Sequence, residues 1–162
     1  MSRLEWQFAD EPVSKDYVEK IGNNLGFKFP KDYISCVAVN NGANVEPEIF
    51  NVGNREKVFG TLLSFDKGND EFIVDVYNSY KKTLPNGVVP FAFDPAGNLI
   101  CFDYKNHEDN PIVVFWEHEN AWDKDMLIRE EGLTEEQAEE HARENIFYVA
   151  ATFTEFLDKL HD

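Results

Sequence analysis

The stretch that most constrains the fold is Val88–Tyr104, VVPFAFDPAGNLICFDY, whose pattern predicts two apolar strands joined by a tight turn. Valine and phenylalanine favour strands, and Asp94-Pro95-Ala96-Gly97 has the chemistry of a turn. Pro95 fixes φ at turn entry, and Gly97 accepts a positive φ. Because Pro90 cannot donate to a strand ladder, the first strand should be short, at an edge, or bulged. We expect this hairpin to set the register of a central sheet.

Two helices are predicted near the N-terminus. Ser14 is a candidate N-cap, and the helix that follows it should end at Gly26. Pro30 suits the first position of a second helix, since its missing N–H costs nothing there. Asn40-Asn41-Gly42 should stop that helix, because these residues accept the left-handed conformation.

Three further helices follow from apolar spacing and capping signals. Asp70 is a candidate cap for a third helix. Thr134-Glu135-Glu136-Gln137 is a capping box that opens a polar helix. Its Ala138 and Ala142 offer little apolar area, so we expect this helix on the surface. A second capping box at Thr152 opens an amphipathic C-terminal helix.

Strand patterns occupy the middle of the chain. Ile49–Val52 predicts a short strand, Val58–Phe65 a longer interrupted one, and Ile146–Val149 a further short one. Ile112–Trp116 is continuously apolar, as in a strand that is central or covered on both faces. We predict a single α+β domain over residues 1–162. Its mainly antiparallel or mixed central sheet should carry packed helices, with an N-terminal helix pair and a C-terminal helix.

Composition limits the class of partner. The 162 residues are 43% apolar and 14% aromatic, enough to bury a core, and the net charge is −16. Such a chain repels nucleic acid and anionic membranes but attracts a basic protein. Between Glu108 and Glu144, thirteen acidic residues face three basic ones, a net charge of −10. That tract is either a solvated face or a docking surface for a positive partner.

Chemical motifs do not predict a catalytic, metal or cofactor site. The four histidines lack zinc-site spacing, and phosphate-binding and nucleophile-elbow patterns are missing from the sequence. Cys36 and Cys101 lie in apolar contexts and form no disulfide framework, and no apolar run is long enough for a signal peptide or a bilayer span. We therefore expect a cytoplasmic protein.

Acidic and aromatic side chains leave alternatives open. Four carboxylates, those of Asp94, Asp103, Glu117 and Glu119, lie at the ends of adjacent predicted strands and could meet at one sheet edge. Such a cluster could support acid–base chemistry if the pKa values of its members differ. Among the tryptophans, Trp116 suits the core, whereas Trp122 suits either the core or an interface anchor.

Four motifs carry a resemblance to a known family. In order they are Phe29-Pro30-Lys31-Asp32-Tyr33 with Asn41-Gly42, Pro90-Phe91-Ala92-Phe93-Asp94-Pro95-Ala96-Gly97-Asn98, Val114-Phe115-Trp116-Glu117-His118, and Ala150-Ala151-Thr152-Phe153-Thr154-Glu155-Phe156-Leu157. This order resembles the SUKH superfamily of bacterial immunity proteins and fungal Smi/Knr cell-wall-assembly regulators. The match spans about Val13 to Leu160. The tract from Met126 to Asn145 is a longer insert than a compact member needs.

The resemblance implies a helix-backed sheet without catalysis. It favours an immunity protein that binds a cognate toxin, often a nuclease, whose basic cleft an acidic surface can fill. A regulatory scaffold related to cell-wall assembly is the alternative, and a carboxylate-based enzyme is a third. We expect a monomer or weak homodimer without cofactor. The predicted partner-binding residues are Asp94, Asp103, Glu108, Asp109, Glu117, Glu119, Trp122, Asp123, Glu135, Glu136, Glu139 and Glu140.

Overall fold

The central sheet has five antiparallel strands, and each pairs with the next one along the chain. The computed structural model describes residues 4–162, so the first three residues of the predicted domain lie outside it. In chain order the elements are β1 (Glu5–Gln7), α1 (Lys15–Leu25), α2 (Lys31–Val39), β2 (Asn44–Glu46), β3 (Ile49–Val52), β4 (Arg55–Val58), β5 (Thr61–Leu62), α3 (Ile73–Tyr80), β6 (Val88–Phe93), β7 (Leu99–Asp103), β8 (Ile112–Trp116), α4 (Lys124–Glu131), α5 (Glu135–Arg143), β9 (Ile146–Ala150) and α6 (Phe153–Asp158). This arrangement confirms the predicted α+β class.

The β6–β7 hairpin forms as its sequence predicts. Asp94 Oδ1 accepts the Ala96 and Asn98 amides at 3.0 and 2.7 Å, while Asp94 Oδ2 accepts Asn98 Nδ2 at 3.0 Å. Gly97 has a φ of 87°, which a residue with a Cβ resists. The register shifts between Pro90 and Ala92, so the bulge expected from Pro90 is present.

Aromatic rings fill the space between this hairpin and the helices. Phe91 of β6 stacks on Phe102 of β7 at 4.4 Å between ring centroids. The ring centroid of Tyr33 in α2 lies 5.1 Å from that of Phe102 and 5.4 Å from that of Phe153 in α6. These rings belong to one continuous hydrophobic core, which the N-terminal helix pair and α6 help to enclose.

One strand prediction was wrong in extent. The single strand expected over Val58–Phe65 is divided: β4 pairs with β3, and β5 pairs with β6 in the main sheet. Gly60 lies at the break, where an added Cβ would be 2.8 Å from the Phe93 carbonyl oxygen. The chain therefore passes too close to β6 for a larger residue to be accommodated without displacing backbone.

The helix predictions need three changes. The second helix starts at Lys31, with Pro30 as its N-cap. The third starts at Ile73 rather than after Asp70, because the Ile73 amide donates to the Ser64 carbonyl at 2.8 Å. Helix α4 lies in the stretch before Thr134 that sequence patterning did not assign.

Tyr33 supplies a test of the core. Its hydroxyl is buried and has no hydrogen-bond partner within residues 4–162, and burial raises the pKa of this phenol well above its ordinary value. We expect Tyr33→Phe to leave the free energy of unfolding unchanged or raise it by about 1 kcal/mol, because an unsatisfied polar group is removed. Urea unfolding measures this change.

The matched control is Phe91→Ala in the same ring cluster. It should lower the free energy of unfolding by about 3–5 kcal/mol through lost contacts and a cavity. A loss above 1 kcal/mol in Tyr33→Phe would show that the hydroxyl is engaged in the folded protein.

Candidate protein-binding surface

Helices α4 and α5 are connected by a tight turn and contact each other; we call residues 123–144 the acidic helical pair. Asp123 caps α4 by accepting the Asp125 and Met126 amides at 2.8 and 3.2 Å. At its other end the Gly132 and Leu133 amides both donate to the Leu127 carbonyl, with Gly132 at a φ of 70°. The chain then enters α5 directly.

The capping box predicted for α5 is present. Thr134 Oγ1 accepts the Gln137 amide at 3.1 Å, and Gln137 Oε1 accepts the Thr134 amide at 3.0 Å. Ala138 and Ala142 are buried. The inner side of α5 is therefore packed through these two small side chains. Its outer side is exposed, as expected for a surface helix.

Arg143 fixes the acidic helical pair to the β6–β7 hairpin. Its guanidinium donates to both oxygens of Asp103, at 2.9 and 3.3 Å, and to the Asn86 carbonyl at 2.7 Å. It also donates to Glu139 at 3.2 Å within α5. Asp103 is 5% exposed, so this contact satisfies a carboxylate that would otherwise be buried and unpaired.

Lys124 makes the second connection. Its Nζ donates to Asn86 Oδ1 at 2.9 Å and to Glu139 at 3.4 Å. The Asn86 amide also donates to Glu139, at 2.9 Å. Arg143 and Lys124 therefore point inward, and two of the three basic residues of the tract do not neutralise its outer surface.

The outer side of the helical pair is acidic. Arg129 is exposed, and its Nε donates to the Asp125 carbonyl at 3.3 Å. We name the exposed carboxylates of the pair the acidic surface: Asp125, Glu130, Glu131, Glu135, Glu136, Glu140 and Glu144. Asp125 Oδ2 lies 3.5 Å from the exposed Lys82 Nζ. Seven carboxylates against these two cations still make a negative field that attracts a positive partner.

Several predicted partner-binding residues lie inside the fold or support it. Asp94 is buried in the hairpin turn, and Asp103 and Glu139 belong to the network around Arg143. Asp123 caps α4, and Glu117 forms an ion pair with Arg55.

The remaining predicted residues are exposed. Glu135, Glu136 and Glu140 belong to the acidic surface, and Glu119 lies in the loop before it. Glu108 and Asp109 occupy a separate loop, where Asp109 Oδ2 lies 3.4 Å from Lys28 Nζ. Asp125, Glu130, Glu131 and Glu144 belong to the predicted acidic tract but were not among the named partner-binding residues, because α4 was not recognised and the side that α5 exposes was unknown.

Of the four carboxylates that could have met at one sheet edge, Asp103 lies apart from the other three. Leu99 pairs with Phe93 and Trp116 at one end of β7, and Asp103 pairs with Ile112 at the other. Asp94, Glu117 and Glu119 lie in the segments next to the Leu99 end, whereas Asp103 closes the opposite end, about 13 Å away along the strand. The four side chains therefore do not form one cluster.

The tryptophans differ sharply in burial. Trp116 is 1% exposed in the core, as predicted, whereas Trp122 is 52% exposed. Trp122 lines a cleft of about 420 Å³ beside Met126, Leu127 and Leu133 of the acidic helical pair. The apolar residues Met126, Leu127 and Leu133 were the sequence signal that could have predicted this cleft. The sequence alone does not show which side of α4 they line.

Residues 4–162 contain no group of three or more histidine, cysteine, aspartate or glutamate side chains placed to hold a metal ion. No helix in that range has the length and apolar character to cross a membrane.

Residues 12–159 match the SMI1/KNR4 family (SUKH-1). The chain belongs to this family. The matched SUKH-1 region extends from the residues before α1 into the end of α6 and includes the acidic helical pair. The chain is also similar to the SPbeta prophage-derived uncharacterized protein YokK of Bacillus subtilis (strain 168), with 22% identity over 167 residues, 92% of this chain and 75% of the relative. The resemblance carried by the four motifs is thus confirmed.

Arg143→Met tests the anchor of the helical pair. We expect the free energy of unfolding to fall by about 3 kcal/mol, because Asp103 would be left buried without its cation. Chemical denaturation measures this loss.

Lys28→Met is the matched control, since it removes an ion pair whose two side chains are each 65% exposed. This variant should lose less than about 1 kcal/mol. Similar losses in the two variants would contradict an anchoring role for Arg143.

Cys36 gives a prediction on pH. Burial raises the pKa of this thiol to about 11, with Asp32 adding to the rise and the Asn40 side chain opposing it. Because the neutral thiol is favoured, the fraction of Cys36 present as the reactive thiolate at pH 8 is about a hundredfold smaller than for an ordinary cysteine. Alkylation of the folded protein by iodoacetamide should accelerate about tenfold per pH unit up to pH 10.

In urea the alkylation rate should level off near pH 9. Cys36→Ser is the control, because the remaining Cys101 is buried and should not react in the folded protein. A plateau below pH 9 in the folded protein would contradict the raised pKa.

Proposed function

We propose that this SUKH-family chain is a non-catalytic immunity protein, which binds a cognate protein toxin and neutralises it. The observation that carries the proposal is the inward direction of Arg143 and Lys124. It leaves the seven carboxylates of the acidic surface facing solvent, with the Arg129 guanidinium among them and Lys82 paired with Asp125 as the nearby exposed cations. A protein of the opposite charge is the partner that this field selects.

A nuclease is the kind of toxin that suits such a surface. An enzyme that grips nucleic acid presents lysine and arginine side chains to the phosphates. Carboxylates held on two rigid helices can occupy the same positions as those phosphates and block access. Binding of this kind requires no chemistry from the inhibitor, and the SUKH family is generally non-enzymatic.

The cytoplasm is the proposed place of action. Cys36 and Cys101 are both free thiols in the folded protein. Reducing compartments keep such thiols unpaired. An immunity protein located there would intercept a nuclease before it reaches nucleic acid.

Co-expression tests the proposal directly. The probe is the product of the gene adjacent to the one that encodes this chain, expressed at a level that stops growth. We expect co-expression of the chain to restore growth and the two purified proteins to form a stable complex. If the neighbouring product is toxic and the chain neither rescues growth nor binds it, the proposed function is wrong.

Charge removal identifies the surface involved. The triple variant Glu135→Gln, Glu136→Gln and Glu140→Gln should bind the toxin roughly tenfold more slowly at low salt, because electrostatic steering is reduced. Stopped-flow association at several salt concentrations measures this change, and the difference from the unmodified protein should shrink as salt rises.

The control carries the same charge change elsewhere. Glu11→Gln, Glu19→Gln and Glu48→Gln alter three exposed carboxylates outside the acidic helical pair. This variant should keep most of the association rate. Equal slowing in the two triple variants would mean that net charge, and not the acidic surface, governs binding.

A further inference from the structure

The cleft beside Trp122 is an apolar feature within an acidic surface. Leu127 is almost fully buried at 7% exposure, and Met126 and Leu133 are half-buried, so apolar side chains line the cleft. Trp122 immediately precedes the N-cap of α4 and is 52% exposed. At about 420 Å³, the cleft falls within the range of ligand-binding pockets.

The exposure of Trp122 has no explanation in the packing of the folded chain. The other large ring of this region, Trp116, is buried in the core. An indole left half in water beside further apolar side chains marks an interaction site, because covering it releases ordered water. Tryptophan is also enriched among the residues that contribute most to protein–protein binding.

The rim of the cleft determines the charge of the occupant. Glu130 and Glu131 line it beside the apolar residues. Both are exposed, and neither has a salt-bridge partner among residues 4–162. An anion or an acidic peptide would be repelled by these carboxylates, whereas a cation placed beside them would be attracted.

We propose that the cleft between α4 and α5 receives a basic segment of the protein partner, with a large apolar side chain against Trp122 and flanking lysines or arginines paired with Glu130 and Glu131. This inference rests on the proposed function for the existence of the partner, and it adds the chemistry of the segment recognised. The acidic surface then guides the approach, while the cleft holds the apolar anchor.

Three capped hexapeptides separate the two parts of this recognition. Lys-Lys-Leu-Phe-Lys-Lys carries both charge and apolar groups, Lys-Lys-Gly-Ser-Lys-Lys carries charge alone, and Gln-Gln-Leu-Phe-Gln-Gln carries apolar groups alone. Binding is followed by the indole N–H signal of Trp122 in ¹⁵N-labelled protein, assigned by its disappearance in Trp122→Phe. The first peptide should shift this signal and bind at least about tenfold more tightly than the other two.

Equal shifts from the charged peptides with and without Leu-Phe would overturn the proposal, because the cleft would then add nothing to charge. Absence of any shift in the Trp122 signal would overturn it as well. A shift that appears on raising the protein concentration alone would identify a second copy of this chain as the occupant, against the proposal.

Substitutions test the same contact from the other side. Trp122→Ala should weaken binding of the first peptide at least about tenfold, and so should the double variant Glu130→Gln and Glu131→Gln. Phe8→Ala is the control for an exposed ring, since Phe8 is 82% exposed and lies outside the acidic helical pair. Glu11→Gln with Glu19→Gln is the control for charge. Loss of affinity in the controls equal to that in the cleft variants would contradict the assignment.

The toxin assay distinguishes failure of this inference from failure of the proposed function. If the chain neutralises the neighbouring toxin and Trp122→Ala neutralises it equally well, the cleft assignment is wrong and the immunity function stands. If the cleft binds the basic apolar peptide as expected while the toxin is neither bound nor neutralised, the cleft assignment stands and the immunity function is wrong.

Discussion

The contact between Arg143 and Asp103 is the interaction on which the arrangement of the molecule depends. A carboxylate at the end of a central strand is almost fully buried, and such a charge is costly without a cation beside it. Arg143 supplies that cation from the last turn of α5, and its bond to the Asn86 carbonyl ties the same helix to the segment before β6. Once α5 is placed, the short turn at Gly132 places α4. The same contact thus joins the helical pair to the end of β7 and turns the opposite side of the pair to solvent.

Local signals in the sequence were sufficient for the features that depend on neighbouring residues. The Asp94 turn, the bulge at Pro90 and the capping box at Thr134 are formed by residues within a few positions of each other, and all were predicted. The features that failed depend on distant partners. At Gly60 the chain changes its partner from β3 to β6, and both partners lie elsewhere in the sequence. The separation of Asp103 from the other carboxylates follows from strand register, which no single segment contains.

The candidate site was predictable in charge but not in shape. Counting residues located the acidic tract, and three of the named glutamates, Glu135, Glu136 and Glu140, belong to the acidic surface. Within residues 123–144, nine acidic and three basic residues give a net charge of −6. Lys124 and Arg143 point inward together with Asp123 and Glu139, so the seven carboxylates and one guanidinium outside keep that net charge of −6. The cleft beside Trp122 could not be predicted in this way, because its walls come from α4, the turn after it and His141 of α5. The acidic surface, which acts at long range, and the apolar cleft, which acts only at contact, thus lie on the same helical pair of this SUKH-family protein.

The alanines of α5 have a consequence for how this surface can change over time. Ala138 and Ala142 are buried on the inner side of the helix, and Arg143 fixes its end. Folding therefore restricts which residues can occupy those three positions. The outward positions carry no such restriction, because their side chains end in water. Substitutions there change the charge of the acidic surface with little effect on whether the protein folds. Under the proposed immunity function, a few exchanges of outward side chains would therefore be enough to change the partner while the scaffold stays the same.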